Sequence, residues 1–598
     1  MGDLVLQWVQ QQIAFNTSAN DYTFGKPSVA VDASGNVYVA YWTEGGTVSG
    51  GTNNNGTYDI VVFKLGTDGS LLWTQQQTSF NTSSNDFNPS ITVDASGNVY
   101  VAYQTNSGTV SGGTNNNGPS GPTGDIVVFK LGTDGSLLWT QQKTAFNTSS
   151  NDFNPSITVD ASGNVYVAYW TNGGTVSGGT NNNGSSGPID DIVVFKLGTD
   201  GTLQWTQQQT AFNTSSNDVY PSITVDDLGN VYVAYWTNGG TVSGGTNNNG
   251  SSGPIDDIVV FKLGTDGTLQ WTQQQTAFNT SSNDFSPSIT VDASGNVYVA
   301  YYTFGTVSGG SIIGTADIVV FKLGTDGTLL WTQQQTAFNT SSYDVFPSIT
   351  VDASGNVYVA YFTLGGTVSG GTNNNGTYDI VVFKLSGTDG TLQWTQQQTA
   401  FNTSSYDSYP SITVDASGNV YVAYFTFGTV SGGTNNNGTY DIVVFKLGLI
   451  PSVICVFPGA LVFTTNGLKK IEDLRAGDML YDESDQQVEL INNIRCHPSS
   501  KGYTTFSQNC FGLNFPSDNL IITDGHPIKF PNSRKEFPVE RLTNGQTIVR
   551  KEGQIPETYS LVTRERIFIP INNIPVCTWS ESKFHKYARN EKLEYTLL

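Results

Sequence analysis

Cysteine and histidine are missing from most of this 598-residue chain: all four cysteines and all three histidines fall at or after Cys455. No disulfide framework therefore braces the first 454 residues, and no histidine is present there to serve a hydrolytic site. Basic residues are scarce in the same stretch. Nine stand against 32 acidic residues before Ile450, whereas 17 of each follow, so the net charge of −23 lies on the first part. A surface of that sign repels phosphate backbones, which excludes nucleic acid as a partner. The opening residues Met1 to Trp8 lack a basic stretch and a long apolar run, so no signal peptide is expected, and Leu6 spoils a myristoylation pattern. Residues 442 to 463 are almost wholly apolar, but Lys446, Pro451 and Pro458 interrupt them. They predict a buried strand and a junction, not a membrane span. A soluble chain of the cytoplasm or of a virion is the expectation.

What is present is repetition. Tryptophans in a Leu-X-Trp-X-Gln-Gln-Gln pattern recur at Trp8, Trp73, Trp139, Trp205, Trp271, Trp331 and Trp394. Each unit reads as four strands, for example residues 89–94, 98–103, 125–131 and 136–142. Valine, isoleucine and aromatics dominate these runs, and Asp134-Gly135 is a tight-hairpin signal. Asp-Ile-Val-Val-Phe-Lys-Leu, residues 125–131, is apolar on both faces, as a sheet covered on both sides requires. Four strands in each of seven units predict an all-β, seven-bladed β-propeller over residues 1–448. The units resemble the SBBP-type β-propeller repeat through Val-Asp-Ala-Ser-Gly-Asn-Val-Tyr and Lys-Leu-Gly-Thr-Asp-Gly. The chain opens on a Trp-type strand, residues 4–12, and the last unit stops at residues 441–447 without one. The N-terminal strand is therefore expected to complete the last blade, a one-plus-three closure that removes free edges.

Loop lengths in the array are lopsided. Short Asp-Ala-Ser-Gly-Asn and Gly-Thr-Asp-Gly turns lie at one end of the strands, and long Gly/Asn-rich connections such as residues 171–190 lie at the other. The long-loop face has two readings: solvated filler left by duplication, or a multivalent surface for a protein or glycan ligand, with Phe146, Asn147 and Ser149 as a typical set. Asp94-X-Ser96-Gly97-Asn98 spaces oxygen groups as a calcium loop does, and equally as a hairpin turn does. Asn147-Thr148-Ser149 and its copies are glycosylation sequons should the chain meet the secretory machinery.

The chain changes character at Ile454-Cys455-Val456-Phe457-Pro458-Gly459. A cysteine heading a compact domain has its thiol within reach of the preceding carbonyl, here that of Ile454. Attack converts the Ile454–Cys455 peptide bond into a thioester and needs a proton for the departing amide nitrogen. His526, in Thr523-Asp524-Gly525-His526, is the candidate donor. Thr523 is the candidate to hold the scissile carbonyl or orient the imidazole. Gly459, Val462, Gly477-Asp478 and Leu520-Ile-Ile-Thr-Asp-Gly-His-Pro527 together resemble the Hint family, the self-processing domain of Hedgehog proteins and inteins. The resemblance implies a compact all-β domain over residues 455–598, joined by a linker at 449–454. It also implies catalytic roles for Cys455, Thr523 and His526.

No cofactor or metal is expected: Cys496, His497 and Cys510 lack a fourth ligand at sensible spacing. Asn572-Asn573 is followed by Ile574, unlike an intein splice end, so ligation of flanking segments is not expected. Too little chain remains for a sterol-recognition region. Cys577 has two readings, a second nucleophile or a core cysteine. The whole predicts an autoprocessing protein that cuts at Ile454–Cys455, with water or a small nucleophile as acyl acceptor. The alternative is a non-enzymatic binding propeller carrying an inactive Hint remnant.

Overall fold

The computed structural model describes residues 4–22, 28–53, 58–118, 121–182, 189–248, 255–372, 378–434 and 439–449 of the array. Of the remainder it describes 456, 458–482, 486–496, 502–506, 520–523, 527–529, 536–538, 548–552, 558–563, 568–571, 574–577, 579–580 and 595–597, with few side chains after Leu490. The chain divides into two compact units, Asp3–Gly448 and Leu449–Leu598.

The first unit is all-β and consists of repeated four-stranded antiparallel sheets with a propeller-like order. One repeat runs Asp152–Val159, Val165–Asn172, Asp190–Leu197 and Leu203–Gln207, each strand pairing with the next. The central strands alternate their side chains between two faces, and both faces are covered. Tyr100, Ala102, Ile126 and Val128 of one sheet pack against Ile157, Val165, Val167, Tyr169, Val193 and Phe195 of the next. Every core thus lies between sheets, which explains why Asp-Ile-Val-Val-Phe-Lys-Leu carries no polar face.

The turns have their own chemistry. Asp160 Oδ1 accepts the N–H groups of Ser162 and Asn164, and Oδ2 accepts Asn164 Nδ2 and the Tyr166 hydroxyl. Gly163 sits at φ +82°, a conformation that glycine adopts without strain. Asp94 is engaged in the same way by Ser96, Asn98 and Tyr100. The oxygen spacing that suggested calcium is thus that of a hairpin turn whose carboxylate is occupied by four protein donors.

Neighbouring sheets are joined by three repeated polar contacts. Trp139 Nε1 donates to Thr199 O at 3.2 Å, and Trp73 and Trp8 do the same to Thr133 O and Thr67 O. Lys196 Nζ donates to Thr265 O of the next sheet at 3.5 Å while lying 4.9 Å from the centre of the Tyr166 ring in its own sheet, an arrangement that recurs in other repeats. On the innermost strands, a serine hydroxyl oxygen accepts the next sheet's N–H: Ser90 from Ile157, Ser156 from Ile223 and Ser222 from Ile289. The relay continues from Ser288 to Ile349 and from Ser348 to Ile412, and Ser411 accepts Val29 N–H of the first repeat. Leu4–Gln10 is the outermost strand of the last sheet, beside Asp441–Leu449. Gln11 anchors its end, with Oε1 accepting Val430 N–H and Nε2 donating to Asp441.

Each repeat buries two carboxyl groups near its sheet-to-sheet junction. Asp152 accepts the Thr148 N–H at 2.8 Å and the Thr148 hydroxyl at 2.7 Å, and that hydroxyl lies 2.7 Å from Thr171 Oγ1. Burial pushes Asp152 up to about 8, with the neighbouring carboxylate of Asp125 adding to it. Burial likewise raises Asp86 to about 8 and Asp21, Asp344 and Asp407 to about 7. Asp125, Asp191 and Asp257 are raised to about 6, again chiefly by burial.

The second unit is also rich in strands. One sheet contains, side by side, Pro527–Lys529, Ile574–Cys577, Phe568–Ile571, Leu461–Thr464, Met479–Tyr481 and Gln487–Cys496. Leu520–Thr523 pairs with Gly502–Phe506, which pairs with Ile548–Glu552. Val462, Ile471, Leu474, Leu480 and Leu490 are fully buried. Among the described residues no helix is long and apolar enough to cross a membrane.

Two predictions follow from this packing. Removing residues 1–12 uncovers the last sheet and the burial sites of Leu4 and Trp8, and a thermal melt should fall by about 5–10 °C. The second concerns pH. The aspartates are raised in the folded state above their unfolded value of about 3.9, so between about pH 4 and 8 the native form holds protons that the unfolded chain has released. Their contribution to stability is complete below about pH 4 and is lost as pH rises through about 6 to 8. Denaturant midpoints of the array should therefore decline across that window, and Asp152→Asn should flatten the decline.

Candidate functional site

The predicted self-cleavage residues are distributed unevenly over the described chain. Ile454, Cys455 and His526 lie outside the described residues. Thr523 is the last residue of Leu520–Thr523, opposite Tyr503. Cys577 ends Ile574–Cys577, opposite Phe568. The backbone nevertheless relates the segments that flank the trio. Leu461–Thr464, the strand after Cys455, pairs through Val462 with Ile571, and the Phe568–Ile571/Ile574–Cys577 hairpin pairs through Val576 with Ile528. The strand that follows His526 is therefore in the same sheet as the strand that follows Cys455.

Two glycines of the Hint-like pattern occupy left-handed backbone. Gly459 is at φ +90° with its N–H on Glu472 Oε2 at 2.8 Å, and Gly477 is at φ +89° with its N–H on Leu490 O. Asp478 pairs with Lys469 Nζ at 2.7 Å and accepts Arg475 N–H. Although partial burial works against it, these bonds hold its carboxyl below the usual range.

The loop set chosen from sequence needs correction. Phe146 is fully buried and stacks on Phe195 at 4.4 Å. Asn147 is buried, with its side chain accepting Ile126 N–H at 2.7 Å and donating to Ile126 O at 2.9 Å. Only Ser149 of the three is exposed. The Phe-Asn-Thr segment is a structural plug, so neither the multivalent surface nor the glycosylation reading applies to Asn147. An apolar side chain beside an amide reads locally as a loop decoration. Its partner strand lies 21 residues away and leaves no trace in the local pattern.

A different site lies where the innermost strands meet. A cavity of about 200 Å³ is walled by their Pro-Ser steps, including Pro155-Ser156, Pro221-Ser222 and Pro287-Ser288. Its remaining lining comes from the residue before each proline: Asn88, Asn154, Tyr220, Ser286, Phe346 and Tyr409. In all six the backbone is left-handed, at φ +48° to +54°. The cause is a register shift in the inner strand, for example between Phe153 and Ser156, which bulges the pre-proline residue out of the ladder. The equivalent position in the first repeat is residue 26, outside the described residues. Sequence reading missed this set, although a signal existed: within strands otherwise repeated almost letter for letter, the pre-proline residue changes from unit to unit.

Residues 204–240 and 270–303 match the model of a family described as a β-propeller repeat, SBBP. No curated protein matches the chain. Among solved structures, an ulvan lyase, a polysaccharide lyase bound to -[GlcA(1-4)Rha3S]-, is 15% identical at a TM-score of 0.44, over 74% of this chain and 96% of that one. A protein of unknown function from Dyadobacter fermentans DSM 18053 is 12% identical at a TM-score of 0.36, over 61% and 94%. The NanB sialidase from Streptococcus pneumoniae is 12% identical at 0.34, over 74% and 71%. At such scores these likenesses bear on neither activity nor ligand.

The structural role of the Phe-Asn-Thr plug is testable. Asn147→Ala leaves the Ile126 N–H and C=O buried without partners, and urea unfolding should report a loss of about 1–3 kcal/mol. Ser149→Ala, on the exposed side of the same turn, should leave stability unchanged.

Proposed function

We propose that the protein is a closed seven-bladed β-propeller followed by a Hint-type domain that cuts its own chain at Ile454–Cys455. The serine relay between inner strands, which runs through the repeats and returns from Ser411 to Val29, supports the closed ring. The observation that carries the self-cleavage reading is the shared sheet of the strands after Cys455 and after His526. That topology fits a site in which a thiol at the domain's head and an imidazole from a distant turn meet.

In the reaction, Cys455 Sγ bonds to the carbonyl carbon of Ile454. The C–N bond to Cys455 then breaks, and its nitrogen leaves as an amine after taking a proton from His526. Thr523 holds the carbonyl or the imidazole in register. Water or a small nucleophile attacks the thioester, returns the thiol and leaves residues 1–454 with a new carboxyl or acyl group. The thioester is higher in energy than the amide, so the second step drains the first. Ile454 is β-branched and crowds its own carbonyl, which slows both steps. Cys577 needs no part in this scheme.

Intact-mass spectrometry of the purified chain, incubated for days with hydroxylamine or a thiol, should reveal fragments 1–454 and 455–598. Cys455→Ala should abolish them, His526→Ala should slow their appearance by roughly 10²–10⁴-fold, and Ile454→Gly should accelerate it. A wild-type chain that stays whole with added nucleophile, as Cys455→Ala does, refutes the self-cleavage reading. The binding role of the propeller is then the reading left.

A further inference from the structure

The scaffold around the cavity repeats, but its lining does not. Asn-Val-Tyr-Val-Ala-Tyr and Asp-Ile-Val-Val-Phe-Lys-Leu recur unchanged in every unit, and Pro-Ser recurs in each inner strand. Several strand positions break the pattern, and two of them meet at one end of the sheets. One is the bulged pre-proline residue. The other follows Val-Ala-Tyr on the neighbouring strand: Trp42, Gln104, Trp170, Trp236, Tyr302, Phe362 and Phe425. Both positions belong to the same end of the sheets, since Phe153 pairs with Trp170 and Val219 with Trp236.

The variation sorts into two sides. Tyr220 stacks on Trp236 at 6.0 Å, Phe346 on Phe362 at 5.8 Å, and Tyr409 on Phe425 at 5.4 Å. Phe346 and Tyr409 also touch each other, with centroids 4.6 Å apart. Each of these rings is braced by one behind it, and Tyr220 is 47% exposed. The opposite side is amide. Asn88 Nδ2 donates to Asn154 Oδ1 at 2.6 Å, and Gln104 Oε1 accepts both Asn88 Nδ2 and Asn154 N–H. The wall serines accept a backbone N–H through Oγ, which leaves their hydroxyl protons to be donated. None of the described lining residues is charged.

Left-handed backbone costs a non-glycine residue about 1–2 kcal/mol. Six such residues stand at one mouth, three of them large aromatics; among the described residues the one other non-glycine with left-handed backbone is Ser107. The bulge brings a side chain to the cavity that a regular strand would hold in the ladder.

We propose that this mouth is a saccharide-binding site. A sugar ring has an apolar C–H face for the braced aromatic side, and a rim of hydroxyls for the amides and serines opposite. A cavity of about 200 Å³ takes one ring and not a chain. A purely apolar ligand would leave the serine hydroxyls of the wall unanswered. The seven-fold scaffold thus carries a single axial site with two chemically different halves.

The test is saturation-transfer NMR on the full-length Cys455→Ala protein, so that processing does not intervene, with glucose, galactose and N-acetylglucosamine as separate probes at millimolar concentration. At least one should receive saturation, strongest at its ring C–H protons. Tyr220→Ala and Tyr409→Ala should each weaken that probe's affinity about tenfold, the scale of losing one stacking ring. Asn154→Ala should do so comparably, while Ser149→Ala, on an exposed turn outside the cavity, should not. Thermal melts of the variants check that the fold survives. No transfer to any of the three sugars, or transfer undiminished in Tyr220→Ala and Tyr409→Ala folded proteins, overturns the proposal.

Discussion

Contact between successive sheets is the constraint on which the array depends. A strand such as Ile126-Val127-Val128-Phe129 buries every side chain, and it can do so only if a sheet covers each face. One repeat alone would expose one half of a core, at roughly 25 cal/mol for every Å² of apolar surface left in water. The polar contacts are arranged around that requirement. Trp139 Nε1, Lys196 Nζ on the Thr265 carbonyl and the serine relay all connect one sheet to the next. The N-terminal strand, placed beside Asp441–Leu449, supplies the last sheet with the cover that the end of the array cannot provide from its own sequence.

Charge in the array is arranged by use. Aspartates such as Asp94 and Asp160 are absorbed into turns, where backbone and side-chain donors surround them. A second class sits at the sheet junctions, where burial raises Asp86, Asp152 and their equivalents far above an ordinary carboxylate. The sequence charge of −23 therefore overstates the negative field of the folded array at neutral pH, because part of it is protonated inside. Phosphate repulsion, argued from composition, survives in sign but is weaker than the count implies.

Strands and turns were readable because their signals are local. Runs of valine, isoleucine and aromatics, Asp-Gly pairs and a tryptophan every sixty-odd residues place the elements without knowledge of the fold. Asn147 was not readable, because what fixes it is Ile126 on a strand that reaches it only after folding. The cavity between the inner strands was legible only by comparing units with one another and asking which letters refuse to repeat. Burial of Asp152 was equally hidden, since an aspartate after Asn-Thr-Ser-Ser-Asn reads as another solvated loop residue. At the junction the residue types, order and spacing pointed to chemistry, while Ile454, Cys455 and His526 lie outside the described residues.

The bulge before each proline separates two tasks that most domains entangle. Core residues hold neighbouring sheets together and are interchangeable from unit to unit. The bulged residue lines the cavity and takes no part in the inner-strand ladder, so asparagine, serine, tyrosine and phenylalanine all occupy it on the same backbone. Exchange of whole units by recombination would rewrite the cavity lining one letter at a time while every sheet-to-sheet surface still met its match. Such a molecule can diversify its recognition at the pace of gene duplication, without waiting for compensating changes in its core.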